Sequence, residues 1–311
     1  PWYTLGPMKT LRSYVCGEWH VADGGWRMLV NPSTEEEIAR ASSAGIDFGA
    51  VLDHAQSAGG PALRSMTFTE RAALLKEMSR TLRDHRDELL ELSRDNTGTT
   101  AGDGSFDVDG ATGTLAYYSG LGRRLGDRPA LIEGEGVQLA KTEGFWTQHV
   151  LVPRHGVAVA INAFNFPAWG LFEKVATALL AGMPVIGKPA TATAMVAERA
   201  VELIVEAGIL PAGALQLVVG DTGDLLDRLG PQDVLAFTGS ADTALAGAIF
   251  GAIAGPLTTQ ALQMIGKVDV LLIPAGGADQ VLSADQAAAG ADQRMAGAGR
   301  RRGCGAGEYY R

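Results

Sequence analysis

The sequence predicts an α/β protein with a doubly wound parallel sheet, the Rossmann-like arrangement of a nucleotide-binding domain. Between residues 157 and 237, four short apolar runs (VAVAI, PVIG, LQLVV and VLAF) alternate with three helical segments. This alternation is typical of parallel strands joined by crossover helices. Gly182 and Gly208 close the first two helices, where a glycine commonly ends a helix. Because such crossovers are nearly always right-handed, few topologies remain, and the nucleotide-binding core is the simplest of them.

The elements before this core are a hairpin and a long helix. Residues 14–30 alternate apolar and polar positions around Gly17, which predicts an edge hairpin. Residues 67–98 begin with a capping box formed by Thr67 and Glu70 and carry a leucine stripe at helical spacing. This segment predicts one scaffold helix that ends near Gly98.

Glycines in the next segment predict loops. We expect loops around Gly102 and Gly134, on either side of a further helical segment. The run GLGRRLG at residues 120–126 matches a dinucleotide-binding pattern, but it follows helix-like residues and precedes Asp-Arg-Pro, so we interpret it as a charged loop. Residues 136–155 then alternate as a second hairpin.

Composition limits the class of protein. The 311 residues are 46% hydrophobic, which is enough for one large or two ordinary domains. A net charge of −9 argues against a nucleic-acid partner, because phosphate backbones require clustered cations. The longest apolar run, residues 245–257, is shorter than the ~18 residues of a membrane span. Two distant cysteines cannot form a disulfide framework, so we expect a cytoplasmic protein without a membrane partner.

The two ends of the chain differ from its middle. Residues 1–7 lack the features of a secretory signal, and we interpret Met8 as a candidate native start. We expect one nucleotide-binding domain over residues 8–244. Residues 245–311 are rich in Ala and Gly, contain one strand-like run, VDVLLIP, and are expected to be a loosely ordered tail. All five histidines precede this tail, so no metal site is expected there.

Three motifs follow directly after predicted strands: NAFNFP at residues 162–167, GKPATATA at 187–194 and FTGS at 237–240. Open α/β sheets bind ligands at the carboxyl ends of their strands, so these motifs should share one site. Their order resembles the aldehyde dehydrogenase superfamily, and most of all the branch that acts on ring-opened CoA-linked semialdehydes in phenylacetate or benzoate breakdown. The resemblance covers residues 11–244.

The resemblance implies roles for the first motif. Asn165 corresponds to the oxyanion-hole amide of the family, a donor whose removal typically costs about 2.7–4 kcal/mol of barrier stabilisation. The alternative is an Asn that caps the following turn or helix. Ile161, Ala163 and Phe164 would line the nicotinamide side of the cofactor, and Gly220 the adenine side. Apolar residues at these positions also fit an ordinary core.

The second motif bears on the choice of cofactor. Lys188 would reach the adenosine ribose and a phosphate on it. The family often has an acidic residue three positions later, where this chain has Thr191. A carboxylate would repel a 2′-phosphate, whereas a hydroxyl can donate to it, which predicts NADP rather than NAD. The alternative is a solvated strand-end lysine beside a loop threonine.

The third motif resembles the family's pyrophosphate turn. Phe237, Thr238, Gly239 and Ser240 end the last strand in small residues that allow the backbone to approach a phosphate. The family usually has a glycine five residues after Gly239, where this chain has Ala244. That difference bears on how closely the next helix approaches the cofactor.

The cysteines do not provide a clear nucleophile. Cys16 lies in the first hairpin and fits a half-buried structural residue. Cys304 follows three arginines that would lower its thiol pKa, but its neighbours do not resemble the family's cysteine segment.

The function implied is therefore NADP-dependent oxidation of an aldehyde, such as a CoA-linked semialdehyde, to the acid, with this chain as the cofactor-binding part without the catalytic half. The family resemblance also implies a homo-oligomer, a dimer, formed through the hairpin at residues 136–155. The alternatives are a non-catalytic nucleotide-binding module, a truncated or frameshifted enzyme fragment, and a fusion to a hydrolase fragment.

Overall fold

A computed structural model describes residues 8–141 and 144–239, together with the backbone of two strands at residues 262–264 and 268–274. The strands are β1 (Lys9–Thr10), β2 (Ser13–Val15), β3 (Glu18–His20), β4 (Arg27–Val30), β5 (Glu37–Ala41), β6 (Leu131–Gln138), β7 (Trp146–Leu151), β8 (Ala158–Ile161), β9 (Val185–Lys188), β10 (Leu215–Leu217), β11 (Val234–Phe237), β12 (Leu262–Met264) and β13 (Val268–Pro274). The helices are α1 (Phe48–His54), α2 (Gly60–Ser65), α3 (Phe68–Asp84), α4 (Arg86–Thr97), α5 (Ala101–Leu125), α6 (Trp169–Leu180) and α7 (Ala194–Glu206).

The predicted parallel core is confirmed. The strands β11, β8, β9 and β10 lie side by side and pair in parallel within an eight-stranded sheet ordered β12-β13-β11-β8-β9-β10-β2-β3. The chain runs from β8 outward through β9 to β10 and then returns to place β11 on the other side of β8. This reversal makes the gap between β8 and β11 the topological switch point, where doubly wound sheets bind ligands.

Apolar residues cover both faces of this sheet, because successive strand side chains point to opposite faces. Ala158 and Ala160 pack with α6 and α7 in one core cluster. Val157, Val159 and Phe237 pack in a second cluster that includes α1 and a short 3₁₀ helix at Leu226–Arg228. Helices therefore lie on both faces, as the doubly wound prediction requires.

The first hairpin is shorter than predicted. The strands β2 and β3 pair around Cys16 and Gly17, which have φ angles of 53° and 82°, as a tight hairpin turn requires. However, β4 does not belong to this hairpin. It pairs with β5 in a separate three-stranded sheet ordered β1-β5-β4, so the prediction of one hairpin over residues 14–30 was wrong. The chain turns away at Gly25, whose φ is 66°.

The predicted scaffold helix is two helices. The capping box is confirmed, because the Thr67 hydroxyl accepts from the Glu70 backbone and the Glu70 carboxylate accepts from the Thr67 backbone. The helix breaks at His85, where φ is −108° and ψ is 21°. Asp87 in the first turn of α4 favours a new helix start there, because acidic residues stabilise helix N-termini.

Two glycine-containing segments were predicted as loops, one near Gly102 and one at residues 120–126. Both predictions were wrong, because the chain is helical from Ala101 to Leu125. The two segments are the two ends of α5, a helix of 25 residues. The glycines allow close helix packing here. A Cβ on Gly110 would lie 2.6 Å from the Trp169 ring, and one on Gly122 would lie 2.6 Å from the Leu180 side chain. The helix stops at Gly126, whose φ is 82°.

The second predicted hairpin is present, formed by β6 and β7, and it begins at residue 131 rather than 136. Gly134 therefore lies within a strand and not in a loop. Large apolar side chains are exposed on this hairpin, including Ile132 at 51%, Trp146 at 58% and Val150 at 50%.

The strand predicted from VDVLLIP is confirmed as β13, which pairs antiparallel with β11, and β12 pairs with β13. The rest of residues 240–311 lies outside the described residues, so the loosely ordered tail stays a prediction. Within the described part of the chain, no helix is both long enough and apolar enough to cross a bilayer.

Candidate active site at the strand tips

The carboxyl ends of the parallel strands meet at one edge of the sheet. Ile161 at the end of β8 is in register with Lys188 at the end of β9 and with Phe237 at the end of β11. The Thr238 backbone N–H donates to the Ile161 carbonyl at 2.9 Å, and the Asn162 backbone N–H donates to the Lys188 carbonyl at 3.0 Å. The three predicted motifs are thus joined by backbone hydrogen bonds at the switch point.

The segment after β8 presents Asn165 to solvent. Phe164 is 66% exposed, its carbonyl accepts a hydrogen bond from the Thr193 hydroxyl at 2.9 Å, and Asn165 beside it is exposed. Ile161 and Ala163 are partly buried on the approach to this turn. Helix α6 starts at Trp169 without a cap from the side chain at its N-cap position, and Asn165 does not cap it. The Asn165 amide therefore has no capping role at this helix.

A residue from another helix caps α6 instead. One carboxylate oxygen of Asp107 accepts from the Trp169 backbone N–H at 2.7 Å, and the other accepts from that of Ala168 at 3.1 Å. Burial raises the pKa of Asp107 to about 6, and the two N–H donors oppose part of that rise. Sequence reasoning missed Asp107 because its partners lie 61 and 62 residues further along the chain.

Two buried polar side chains at the switch point lack partners among the described residues. Asn162 is 3% exposed, and neither its amide nitrogen nor its amide oxygen is hydrogen-bonded there. The Thr238 hydroxyl, at the adjacent tip of β11, is likewise unpaired. Buried polar groups are nearly always hydrogen-bonded, so these side chains have donors and acceptors available to a ligand or to residues outside the described part of the chain. A polar residue directly after a strand was the sequence signal that could have identified Asn162.

Lys188 lies at the end of β9, partly buried, and its ammonium donates to the Pro189 carbonyl at 3.2 Å. Burial lowers its pKa, which the nearby Asp221 carboxylate opposes and the Arg27 guanidinium reinforces. Arg27 and Asp221 also form an exposed ion pair, at 2.9 Å. The β9 tip is therefore a mainly cationic corner, with Lys188 as its less exposed member.

The Thr191 hydroxyl donates to the carbonyl of Gly220 at 3.0 Å, which ties the β9 tip to the chain after β10. This proton is therefore directed at Gly220 rather than toward solvent. Gly220 has a φ of 132°, and a Cβ there would lie 2.5 Å from the backbone nitrogen of Ser43. Only glycine fits this position, and it brings the backbone close to the Thr191 side chain.

The turn after β11 combines a buried ring with a glycine. Phe237 is 2% exposed and belongs to the core, so it forms the wall behind the site rather than its lining. A Cβ on Gly239 would lie 2.6 Å from this ring, so a glycine lets the chain fold over Phe237. Ser240 and Ala244 lie outside the described residues.

The cysteine within the described residues does not resemble a nucleophile. Cys16 is exposed rather than half-buried as predicted. Partial burial of its sulfur raises the thiol pKa, and the nearby Asp47 and Glu18 carboxylates raise it further. A raised pKa reduces the thiolate population, so Cys16 is poorly suited to attack a carbonyl. Cys304 lies outside the described residues.

Comparison with protein families and curated proteins gives a consistent result. Residues 20–293 match the aldehyde dehydrogenase family, so the match runs past residue 244. The chain is 52% identical over 234 residues to a 3,4-dehydroadipyl-CoA semialdehyde dehydrogenase from Aromatoleum evansii, covering 75% of this chain and 45% of that protein. A betaine aldehyde dehydrogenase from Vibrio vulnificus is 31% identical over 285 residues, covering 89% and 55%. The chain thus spans about half the length of the curated relatives that it matches.

Solved structures share the fold. A 3,6-anhydro-L-galactose dehydrogenase in complex with NADP superposes with a TM-score of 0.67 at 26% identity, covering 79% of this chain and 50% of that one. An enzyme from Sinorhizobium meliloti, solved with NAD, gives a TM-score of 0.67 at 25% identity, covering 80% and 49%. The predicted cofactor class, NADP or NAD, agrees with these relatives. From the three motifs joined at the switch point, the family match and the shared fold, it follows that this chain belongs to the aldehyde dehydrogenase family of oxidoreductases.

Proposed function

We propose that the described residues form the cofactor site of an aldehyde dehydrogenase that oxidises a CoA-linked semialdehyde to its carboxylic acid, with NADP as the electron acceptor. The observation that carries the proposal is the convergence of the strand tips at the switch point, where Asn162 and Thr238 hold buried polar groups without described partners. The CoA-linked substrate class is supported by the 52% identity to the Aromatoleum evansii relative.

The proposed reaction consumes an aldehyde, water and NADP⁺ and yields an acid, NADPH and a proton. A nucleophile that the described residues do not supply would add to the aldehyde carbon, and the C=O oxygen would gain negative charge. A bound nicotinamide would supply the hydride acceptor, and water would then displace the nucleophile from the acyl carbon to give the acid. Asn165, exposed beside the nicotinamide side of the site, would donate its amide N–H to the negatively charged oxygen. The described residues thus supply cofactor binding and oxyanion stabilisation, and they do not supply a suitable thiol.

The preference for NADP is supported by charge. The β9 tip carries Lys188, and no acidic side chain stands at position 191. A phosphate beside a partly buried ammonium would offset the desolvation that lowers the pKa of Lys188. Because the Thr191 hydroxyl donates to Gly220, the proposal assigns the phosphate contact mainly to Lys188, and Thr191 contributes by not carrying a negative charge.

Replacing Thr191 by glutamate should reverse the cofactor preference. We expect the affinity for NADP⁺ to fall by about tenfold or more, because a carboxylate at this position repels the 2′-phosphate. The affinity for NAD⁺ should hold or rise, because the carboxylate can accept hydrogen bonds from the ribose hydroxyls. Titration calorimetry of both nucleotides against the full chain measures this change.

The matched control is Thr191→Val, which removes the hydrogen bond to Gly220 without adding charge. We expect it to change the affinities for NADP⁺ and NAD⁺ by similar factors. If Thr191→Glu weakens both nucleotides equally, the NADP assignment is wrong. If the wild-type chain is folded and binds neither nucleotide, the proposed function is wrong.

A second candidate function is a nucleotide-binding module without catalysis. It is favoured by the exposure and raised pKa of Cys16, the cysteine within the described residues. Incubation of the full chain with NADP⁺ and an aliphatic semialdehyde thioester, followed at the absorbance of NADPH, separates the two. Nucleotide binding without NADPH formation would support the module, whereas turnover would support the enzyme.

We also propose that the β6–β7 hairpin mediates homodimer formation. Its exposed apolar residues form a surface that a soluble monomer rarely presents, and a second copy of the chain could cover it. Ile132 and Val150 are directly opposite each other across the hairpin and are about half exposed.

Replacing Ile132 by glutamate and Val150 by lysine together should convert a dimer into a monomer. The opposite charges face each other across the strands and preserve the hairpin, while the apolar surface is lost. Sedimentation velocity should show the dissociation constant rising by at least about tenfold. Gln138→Glu, which adds charge on the same hairpin without removing an apolar side chain, should remain dimeric. A wild-type monomer at high concentration would contradict the proposal.

A further inference from the structure

The start of α6 depends on a side chain from α5. Asp107 is 1% exposed, and its two oxygens accept from the N–H groups of Ala168 and Trp169. The N-cap residue, Ala168, has no side chain that could perform this function. Because the first N–H groups of a helix have no partner within the helix, Asp107 supplies acceptors that the local sequence lacks.

Aromatic side chains pack beside Asp107. Its neighbour Phe106 packs against Trp169 with ring centroids 5.1 Å apart and against Phe166 at 6.1 Å. The Trp169 indole N–H donates to the Thr114 hydroxyl at 2.9 Å, a second link from α5 to the start of α6. Because the carboxylate is buried at this contact, water has little access to replace it as the acceptor.

The turn between β8 and α6 is therefore fixed at both of its ends. At the β8 end, the Asn162 N–H bonds to Lys188 and the Thr193 hydroxyl bonds to the Phe164 carbonyl. At the α6 end, the carboxylate of Asp107 provides the link. The exposed Asn165 lies between these anchors, so its position depends on both.

The carboxylate also restricts where the cofactor's phosphates can lie. A helix N-terminus attracts anions through its free N–H groups and its dipole. At α6 an anionic side chain already occupies two of these N–H groups. A pyrophosphate at the same place would meet like charge, and under the proposed function it is the nicotinamide half of the cofactor that approaches this turn.

We propose that Asp107 is a positioning residue for the nicotinamide half of the cofactor: by holding the first turn of α6, it keeps the turn with Phe164 and Asn165 in the conformation that binds this half. The inference rests on the proposed function. Without the cap, the turn would populate several conformations. The apparent affinity for NADP⁺ would then fall in proportion to the fraction of molecules whose turn has the binding conformation.

The test compares a whole dinucleotide with its adenosine half. Titration calorimetry of the full chain uses NADP⁺ and 2′,5′-ADP, which lacks the nicotinamide nucleotide, against wild type and Asp107→Asn. The variant keeps the side-chain size but replaces one acceptor oxygen by a donor, so it can cap only one N–H. We expect NADP⁺ to bind about tenfold more weakly and 2′,5′-ADP to bind within about twofold of wild type.

Asp109→Asn is the matched control. Asp109 lies on the same helix and is exposed, and its carboxylate bonds to Arg86 rather than to α6. We expect this variant to bind both ligands as wild type does. Should Asp107→Asn fail to fold, Asp107→Glu retains the charge but displaces it by one methylene, and the same selective loss for NADP⁺ is expected.

Three results would overturn the inference. Equal weakening of NADP⁺ and 2′,5′-ADP would show that Asp107 only stabilises the fold. Unchanged binding of both ligands would show that the cap has no effect on the site. If the folded wild type binds neither ligand, the proposed function is wrong and this inference is wrong with it. That result differs from the other two because it is seen with the wild-type chain, before any substitution is made.

Discussion

Gly156→Ala is expected to lower the free energy of unfolding by about 3 kcal/mol, the upper end of the usual cost of overpacking a buried site. A Cβ on Gly156 would lie 2.2 Å from the carbonyl oxygen of Gln232 and 2.3 Å from its carbonyl carbon. Both atoms belong to the backbone, so no side chain can rotate away to relieve the clash. The strain falls where β8 enters the sheet beside β11.

The clash lies at the amino ends of β8 and β11, where backbone hydrogen bonds align the two parallel strands. The Val234 N–H donates to the Val157 carbonyl at 2.9 Å, and the Val157 N–H donates to the Asp233 carboxylate at 2.7 Å. Urea denaturation followed by circular dichroism measures the loss of stability.

Gly113→Ala provides the control. Gly113 lies inside α5, and a Cβ added to it would have no heavy atom within 4 Å outside the helix's own nearby backbone. Since alanine is the better helix former, this variant should gain about 0.5–1 kcal/mol. An ordinary substitution changes the free energy of unfolding by ~1 kcal/mol. If the free energy of unfolding of Gly156→Ala lies within that range of wild type, the close approach of the two backbones is contradicted.

Asp107 should make the protein less stable as the pH rises from about 4 to 7. Its pKa is raised from 3.8 to about 6 in the folded protein, mainly by burial. Between these values the folded state holds more protons than the unfolded state, so the free energy of unfolding falls with rising pH. Across this window the free energy of unfolding falls by at most about 3 kcal/mol, and the fall is complete above the pKa of Asp107 in the folded state.

Subtracting the pH profile of Asp107→Asn from that of wild type isolates this contribution. Other carboxyl groups have lowered pKa values, among them Asp109, whose partner is Arg86, and they act in the opposite direction. Their contributions cancel in the difference because both proteins contain them. Chemical denaturation at several pH values should give a difference curve that declines through this window. A flat or rising curve would show that Asp107 is not held in a desolvating environment.

The sequence by itself determined the α/β class and the positions of the parallel strands. Short β-branched runs and closing glycines depend on local backbone preferences, and these act within a few residues. The three motifs after the strands also identified the edge of the sheet where the candidate site lies, because parallel strands place their carboxyl ends together. The capping box at Thr67 was predictable for the same local reason.

Tertiary structure alone decided the role of the glycines in α5 and the identity of the cap on α6. Gly122 lies in a run predicted as a loop, but close packing against Leu180 favours a glycine there inside a helix, as packing against Trp169 does for Gly110. Asp107 bonds to backbone groups 61 and 62 residues away, and no local pattern encodes such a partner. Propensity acts between neighbours in sequence, whereas close packing and the satisfaction of buried polar groups depend on neighbours in space.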